Sequence, residues 1–247
     1  MRLLALPLLA TVLMSQEAPA QQRDGARYYT LSKVSDLWHL SENSQEEPKP
    51  VKLPAPSFGA VTLEKVLKER QSIRTLTGPA LSLGTLSQLF WAAQGENRAG
   101  TGRRTVPSAS ARYPLELYVI VAKSEALPEG VYKYSTKDHM LTKIKDGSPT
   151  SLLGSLERMQ PWIPNSPAVF LMAGDSSRFG GNDPMRREIS FHWEAGAASQ
   201  ALLLAVAANG LGATVVSGVN LEAVHAAAGL PAEEKISVII PVGRIAR

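Results

Sequence analysis

The sequence contains no cysteine among its 247 residues. This absence excludes disulfides, a thiolate nucleophile, cysteine-ligated metals and a lipid-modified N-terminal cysteine. A protein that lacks disulfides and is exported, as argued below, must be stabilised by its hydrophobic core or by association with another chain.

Recognisable catalytic motifs are also absent. The few histidines do not pair with one another or with carboxylates at ligand spacing, so no protein-bound catalytic metal is expected. They are His39, His139, His192 and His225. A Ser–His–Asp hydrolase is unsupported because no G-x-S-x-G elbow is present. The segment "AGTGRR" (residues 99–104) is too short and too basic for a dinucleotide-binding G-x-G-x-x-G motif.

Long hydrophobic runs are absent except at the N-terminus. Arg2 precedes an uncharged apolar run from Leu3 to Met14, and a small-x-small site, residues 18–20, follows it. This pattern predicts a signal peptide over residues 1–20, and hence an exported protein, periplasmic or secreted. The run is too short to span a bilayer. A buried N-terminal helix is the alternative.

The chain has a small excess of basic over acidic residues, with a net charge of +4 and a pI of about 9.3. Such a mild excess suits an anionic ligand, a negative envelope surface or no particular partner. No nucleic-acid-binding motif accompanies it, and we expect no nucleic acid partner.

Residues 21–57 are polar and contain several prolines, which predicts an extended N-terminal arm or linker. Trp38 and Leu40 are the side chains that can dock this arm onto the body or onto a second subunit. A folded domain is expected over residues 58–247.

Helix caps are the clearest local signals within that domain. Thr62, Ser82 and Asn220 are predicted N-caps. Asp183-Pro184 predicts the start of a long helix that runs to Asn209, with Gly210 as the stop signal. A short helix is expected over residues 150–160. Apolar runs predict strands between these helices. They are residues 115–122, a hairpin over 130–144, and residues 167–174, 212–218 and 235–244. This order predicts an α+β fold with helices packed on a central sheet.

Arg70, Ser72 and Arg74 lie within five residues, where a predicted helix ends. Planar arginine forks beside a hydroxyl are suited to bind a phosphate, although a solvated basic helix end is the alternative. The loop "PSASARYP" (residues 107–114) has small side chains, so its backbone can closely approach a flat ring. The alternative is a plain connection. "SGV" (217–219) and "PVGR" (241–244) directly follow predicted strands, where ligands gather in α/β sheets.

In this order, the segments resemble the nitroreductase superfamily of FMN-dependent oxidoreductases, and most closely its SagB-type dehydrogenases. The resemblance runs from about Lys68 to Arg244. The segments that carry it are "RQSIRTLTGPALSLGTLSQLFWAAQG", "RRTVPSASARYPLELYVIVA", "LPEGVYKYSTKDHML", "WEAGAASQALLLAVAANGLGA" and "IIPVGR".

The resemblance implies a sandwich with a central, mostly antiparallel sheet that binds FMN non-covalently at a homodimer interface. Arg70, Ser72 and Arg74, with Gln71 beside them, would hold the ribityl phosphate and the pyrimidine edge, and Arg244 after Gly243 would close on the phosphate. Ser217 and Gly218 would face the flavin N5 edge. The other subunit would contribute a segment along the ribityl chain and ring. That segment is Pro107, Ser108, Ala109 and Ser110.

Two residues depart from the family pattern. Ser110 replaces the usual glycine of a P-S-A-G loop, which strains the loop if that position needs a positive φ. Arg112 stands where related loops commonly have an apolar residue, so a second charge is expected to face either the ligand or the substrate.

The resemblance implies transfer of two electrons from a reduced donor, such as NAD(P)H, to a small acceptor such as a nitro or quinone compound. Oxidation of azoline rings in peptides, a non-catalytic flavin-binding module and fragmentation of the flavin itself are the alternatives. The loops 162–167 and 176–185 should set the substrate face, but no pattern in them identifies a substrate. Trp162 and Phe179 either stack on an aromatic acceptor or, as we favour, pack in the core or at a dimer interface.

Overall fold

The computed structural model describes residues 49–122, 124, 126–156 and 160–246. These residues fall within one unit of the chain, Glu46–Arg247. The expected signal peptide lies outside the described residues, as do residues 21–48 of the expected arm, with Trp38 and Leu40. No helix of the described residues is long and apolar enough to cross a bilayer.

Side-chain caps begin the helices where the sequence predicts. Thr62, Ser82, Asp183 and Asn220 each accept a hydrogen bond from a backbone N–H in the first turn of their helix. The helices are α1 (Leu63–Glu69), α2 (Leu83–Gln94), α3 (Pro149–Leu153), α4 (Pro184–Ala208) and α5 (Leu221–Ala228). The helix expected over residues 150–160 is a short α-helix followed by a 3₁₀ turn, Gly154–Leu156.

The central sheet is antiparallel, as expected, with strand order β1-β7-β6-β5-β8-β10-β2 and β9 beside β10. A separate hairpin joins β3 to β4. The strands are β1 (Val51–Lys52), β2 (Leu76–Thr77), β3 (Glu96–Arg98), β4 (Arg103–Arg104), β5 (Leu115–Val121), β6 (Gly130–Ser135), β7 (Met140–Lys145), β8 (Ala168–Gly174), β9 (Gly212–Ala213) and β10 (Lys235–Ile245).

Helices cover both faces of the sheet. Side chains of α2 and α4 pack against Val119 and Phe170 on one face, and α3 and α5 cover Ile120 and Leu171 on the other. Because β8 is covered on both faces, all seven of its residues are buried, which explains its continuous apolar run.

The strand predicted over residues 212–218 is wrong beyond Ala213. The segment pairs with β10 at Gly212–Ala213 and again at Val216, which exchanges both backbone hydrogen bonds with Ile239. In that register Thr214 lies opposite Pro241, which has no N–H to donate. The proline therefore interrupts the ladder.

The ends of the domain also differ from the sequence pattern. Within the predicted arm, Val51 and Lys52 form β1 at the edge of the sheet, and Leu53 is buried beside them. In α1 the apolar side chain of Val66 is buried, whereas those of Leu63 and Leu67 are exposed.

Candidate functional site

The segment Arg70–Arg74 leaves α1 and runs along β9. Arg70 ends the helix by donating its backbone N–H to Val66 O, at 2.8 Å. Ser72 then forms a bridge with Ala213, and Ile73 donates its N–H to Ala213 O at 3.0 Å. The backbone therefore fixes both predicted phosphate-binding arginines beside β9.

The C-terminal end of β10 meets the same segment. Gly243 lies opposite Gly212 of β9, and Arg244 lies opposite Thr77 of β2. A Cβ on Gly243 would lie 2.8 Å from the Pro167 side chain, so the close packing here requires glycine. The structure thus brings together the predicted phosphate-binding groups. They are Arg70, Gln71, Ser72, Arg74, Gly243 and Arg244.

The arginines at this end of the sheet form no ion pair with any residue that the structure describes, although Glu69 lines the same cleft as Arg70. Within the described part of the chain, the side chains of Arg70, Arg74 and Arg244 make no hydrogen bond or ion pair. The aliphatic part of Arg244 packs on Gly78, where a Cβ would lie 3.1 Å from Arg244 Cγ and Cδ. Three free guanidinium groups at one edge fit a dianion, since each offers a planar fork to phosphate oxygens.

Two open clefts border this arginine cluster. A cleft of ≈ 240 Å³ is lined by Arg70 and Gln71, and one of ≈ 860 Å³ by Arg244. Both are also lined by Gly210, Leu211 and Ile245, so they adjoin. A ligand held by the arginines therefore has room on either side.

Ser217 and Gly218 lie beside the middle of β10, at a distance from the arginines at its end. Val216 is opposite Ile239, four residues before Gly243, which places it roughly 13 Å from the arginine end at the usual rise of a strand. Ser217 and Gly218 are exposed. The separation suits an extended ligand whose phosphate lies at the arginines.

The loop Pro107–Pro114 has a strained backbone. Ser110, Ala111 and Tyr113 have φ angles of 53°, 54° and 48°, so the position that carries glycine in related loops does adopt a positive φ here. Local contacts hold this conformation: Ser108 Oγ accepts the N–H of Tyr113 at 2.8 Å, and the Tyr113 ring lies 4.6 Å from the Arg104 guanidinium. Arg112 is exposed on the same loop.

Within one chain, this loop lies at the opposite end of the sheet from the arginines. It leads into Leu115, which aligns through Gly174 with Lys235 at the start of β10. Nine residues separate Lys235 from Arg244, roughly 30 Å along a strand. Helix α4 gives the same result, because Ser110 shares a cleft with Asp183 at its N-terminus, while Gly210 follows its C-terminus. One chain does not bring all the predicted flavin contacts together.

Sequence reasoning missed a buried polar network under this loop. Glu194 of α4 is only 3% exposed, and its Oε1 accepts a hydrogen bond from Gln94 Nε2 at 3.3 Å. Arg104 Nη1 donates to Gln94 Oε1 at 2.8 Å. The helical spacing could have indicated that Glu194 is buried, because it precedes the buried Ala198 by four residues and therefore lies on the same face of the helix.

Burial raises the pKa of the Glu194 carboxyl above its ordinary value. The Ser108 hydroxyl, Gln94 and the Arg104 charge oppose this shift. Oε2 is buried and makes no hydrogen bond of good geometry within the described part of the chain. A proton on this carboxyl relieves the cost of an unpaired buried charge.

The aromatic side chains of the loops expected to set the substrate face pack against the cores. Phe179 packs against the core beneath α2 and α4, and Trp162 packs against the other core. Trp162 Nε1 also donates to Gln160 Oε1 at 2.8 Å. Both side chains therefore have packing roles, in line with the interpretation that we favoured.

Comparison with known proteins bears on the whole folded part of the chain. The sequence matches the Nitroreductase family over residues 67–244. A protein of Methanocaldococcus jannaschii named as a nitroreductase is 32% identical over 192 residues, which cover 76% of this chain and 94% of that protein. A crystal structure from Ralstonia eutropha, also named as a nitroreductase, has a TM-score of 0.69 at 27% identity, covering 81% of this chain and 95% of that one.

A further solved structure shares the fold. The E. coli microcin synthetase McbBCD complex with truncated pro-MccB17 bound has a TM-score of 0.61 at 20% identity, covering 90% of this chain and 85% of that one. Since the family match spans most of the chain and a relative matched over 94% of its own length is 32% identical, this protein belongs to the nitroreductase family of oxidoreductases, whose members typically bind a flavin.

Proposed function

We propose that this protein is an FMN-dependent oxidoreductase. It takes two electrons from a reduced donor, such as a nicotinamide nucleotide, and delivers them to a small acceptor such as a nitro or quinone compound. The observation that carries the proposal is the cluster of Arg70, Arg74 and Arg244 at the end of β10, which has no anionic partner within the described part of the chain.

The arginine cluster binds the FMN phosphate. Arg70 and Arg74 offer guanidinium donors from the segment beside β9, and Arg244 closes from the end of β10. The hydroxyl of Ser72 and the side chain of Gln71 lie on the same exposed segment and contact the phosphate and the ribityl chain. Bidentate contacts fix the orientation of the ligand as well as its affinity.

The remaining contacts orient the reactive ring. Bound FMN supplies the two-electron chemistry. Ser217 and Gly218 border the N5 edge, where a backbone N–H tunes hydride transfer. The small side chains of Pro107, Ser108, Ala109 and Ser110 let a second chain lie flat against the ring and exclude water.

A second copy of the chain supplies that loop. Two observations support a homodimer: the loop and the arginine cluster lie roughly 30 Å apart in one chain, and α4 has an exposed apolar stripe. The stripe consists of Met185, Ile189 and Trp193, spaced four residues apart, with exposures of 73%, 42% and 74%. Side chains at this spacing share one face of a helix, which suits a symmetric interface.

The visible absorption spectrum of the purified protein, before and after addition of FMN, tests the proposal. The wild type should retain or take up flavin. The double variant Arg70→Ala/Arg244→Ala should bind FMN at least about 100-fold more weakly, because it loses two charged donors to the phosphate.

Lys68→Ala is the matched control, because it removes an exposed positive charge from the same helix end without touching the cluster. Its FMN affinity should stay within about twofold of the wild type. A wild type that neither retains nor takes up FMN would falsify the proposal. Flavin bound but not reduced by any donor would instead support a binding module.

A further inference from the structure

A second basic site lies beside the loop, away from the arginine cluster. The β3–β4 hairpin and the start of the loop enclose a cleft of ≈ 540 Å³, here called the hairpin cleft. No Asp or Glu of the described residues lines it. The residues that matter are Arg98, Arg103, Arg104, Pro107, Ser108 and Tyr113.

The hairpin places two like charges opposite each other. Arg98 and Arg103 are cross-strand partners in the β3–β4 register. Like charges at such positions destabilise a strand pair, because their side chains lie about 5 Å apart at Cβ. An anion bound between the two guanidinium groups attracts both of them and thereby offsets their mutual repulsion.

The acidic residue of the hairpin does not relieve this repulsion. Glu96 Oε1 accepts the backbone N–H groups of Thr101 and Gly102, at 2.9 and 2.8 Å, so its charge is directed into the turn. Arg103 makes no side-chain hydrogen bond or ion pair with any residue that the structure describes. Its fork is therefore available to a ligand.

The other two arginines are held in place around the cleft. Arg98 Nε donates to Asn97 Oδ1 at 3.0 Å, and its Nη2 donates to Arg104 O at 3.3 Å. Arg104 Nη1 donates to Gln94 Oε1 at 2.8 Å. Since protein contacts already orient these side chains, little conformational entropy is lost when an anion binds.

We propose that the hairpin cleft binds a phosphate or other anionic group of the molecule that exchanges electrons with the flavin. The position follows from the loop: Pro107 and Ser108 line the cleft and also belong to the segment assigned to the flavin, so an anion here anchors a ligand that reaches the ring. This inference rests on the proposed function. The cleft is distinct from the arginine cluster, which lies at the opposite end of β10.

Calorimetric titration of the FMN-loaded protein with inorganic pyrophosphate tests the site directly. Arg98→Ala and Arg103→Ala should each weaken pyrophosphate binding about tenfold, while their flavin content stays that of the wild type. Arg103→Lys keeps the charge and should lose less. Lys137→Ala, which removes an exposed charge from the β6–β7 turn, is the matched control and should bind like the wild type.

Steady-state kinetics distinguishes the two sources of the anion. If the donor supplies it, the arginine variants raise the KM for NADPH or NADH and leave the KM for nitro acceptors unchanged. If the acceptor supplies it, the KM for 4-nitrobenzoate rises while that for uncharged nitrobenzene does not. Either result supports the inference.

Three results overturn it. If all variants bind pyrophosphate equally, the hairpin cleft is not an anion site. If Arg98→Ala or Arg103→Ala loses FMN, the cleft binds the cofactor and not a reactant. Weaker pyrophosphate binding with every KM unchanged means that the anion is not part of a reactant. A wild type without flavin instead contradicts the proposed function, and the same titration of the flavin-free protein then decides whether the cleft binds anions.

Discussion

Glu194 gives the folded protein a pH dependence of known sign. Because burial raises its pKa, the folded state holds this proton more tightly than the unfolded chain does. Stability is then greatest below the ordinary pKa of glutamic acid and falls as the pH rises through the folded pKa. The groups that face the carboxyl are Arg104, Gln94, Ser108 and the Leu115 N–H.

The variant Glu194→Gln should abolish this dependence. Gln keeps the shape and the acceptor for Gln94 but carries no charge, so it should be more stable than the wild type at pH 8 and nearly equal to it at pH 4. Urea unfolding at the two pH values measures the difference. A gap that is the same at both pH values would show that folding does not shift the pKa of Glu194.

Ser110 offers a second test at this scale. At φ 53° a serine destabilises the folded state by about 1 kcal/mol relative to a glycine in the same conformation. Glycine loses more conformational entropy on folding, and this loss offsets part of the difference. Ser110→Gly should therefore raise the free energy of unfolding by about 0.5 kcal/mol. Ser108→Gly, the same change two residues earlier at φ −135°, should lower it by about 1 kcal/mol, because the acceptor for Tyr113 N–H is lost. Equal effects would argue against strain at Ser110.

Among the elements, helices were the most predictable because their start signals are local. Thr62, Ser82, Asp183 and Asn220 act within one turn of themselves. The interruption of β9 was not predictable in this way, since Pro241 acts on Thr214 from another strand. The two-residue strand β1 is too short for a period-2 pattern to reveal.

The same element limits where the chain can be shortened. Leu53, 3% exposed, packs in the core beside β1, and its N–H donates to His139 O at 3.0 Å. A chain starting at residue 58, the expected domain boundary, should therefore lose about 2–5 kcal/mol of stability. A chain starting at residue 49 retains these contacts and serves as the control. Chemical unfolding of both chains gives the comparison, and equal midpoints would contradict a structural role for β1.

For the whole molecule, the sequence could identify which arginines form the cluster, but it could not show where in the fold they meet. Arg70 and Arg244 are 174 positions apart in sequence, and only the resemblance and the strand pairings bring them together. Glu194 was missed because its burial depends on a tertiary contact with Gln94. The hairpin cleft was missed because it forms only when β3 and β4 pair.

The α4 stripe gives the prediction at this scale. If the proposed dimer forms through this stripe, Trp193→Asp should give a monomer in light scattering and lose the proposed flavin with it, because a charge in an apolar interface has no partner. Ile144→Asp, at a residue 40% exposed on β7, is the control and should remain dimeric. A monomeric wild type, or a variant that stays dimeric, would place the interface elsewhere.

The separation of the loop and the arginine cluster at opposite ends of β10 has a genetic consequence. Each flavin site in the proposed dimer combines the arginines of one copy with the loop of the other. A chain defective in Arg70 and Arg244 and a chain defective at Ser108 are each expected to bind no flavin alone. Mixed in one dimer, they form one site with both defects and one site with neither, so the pair complements and recovers half of the cofactor.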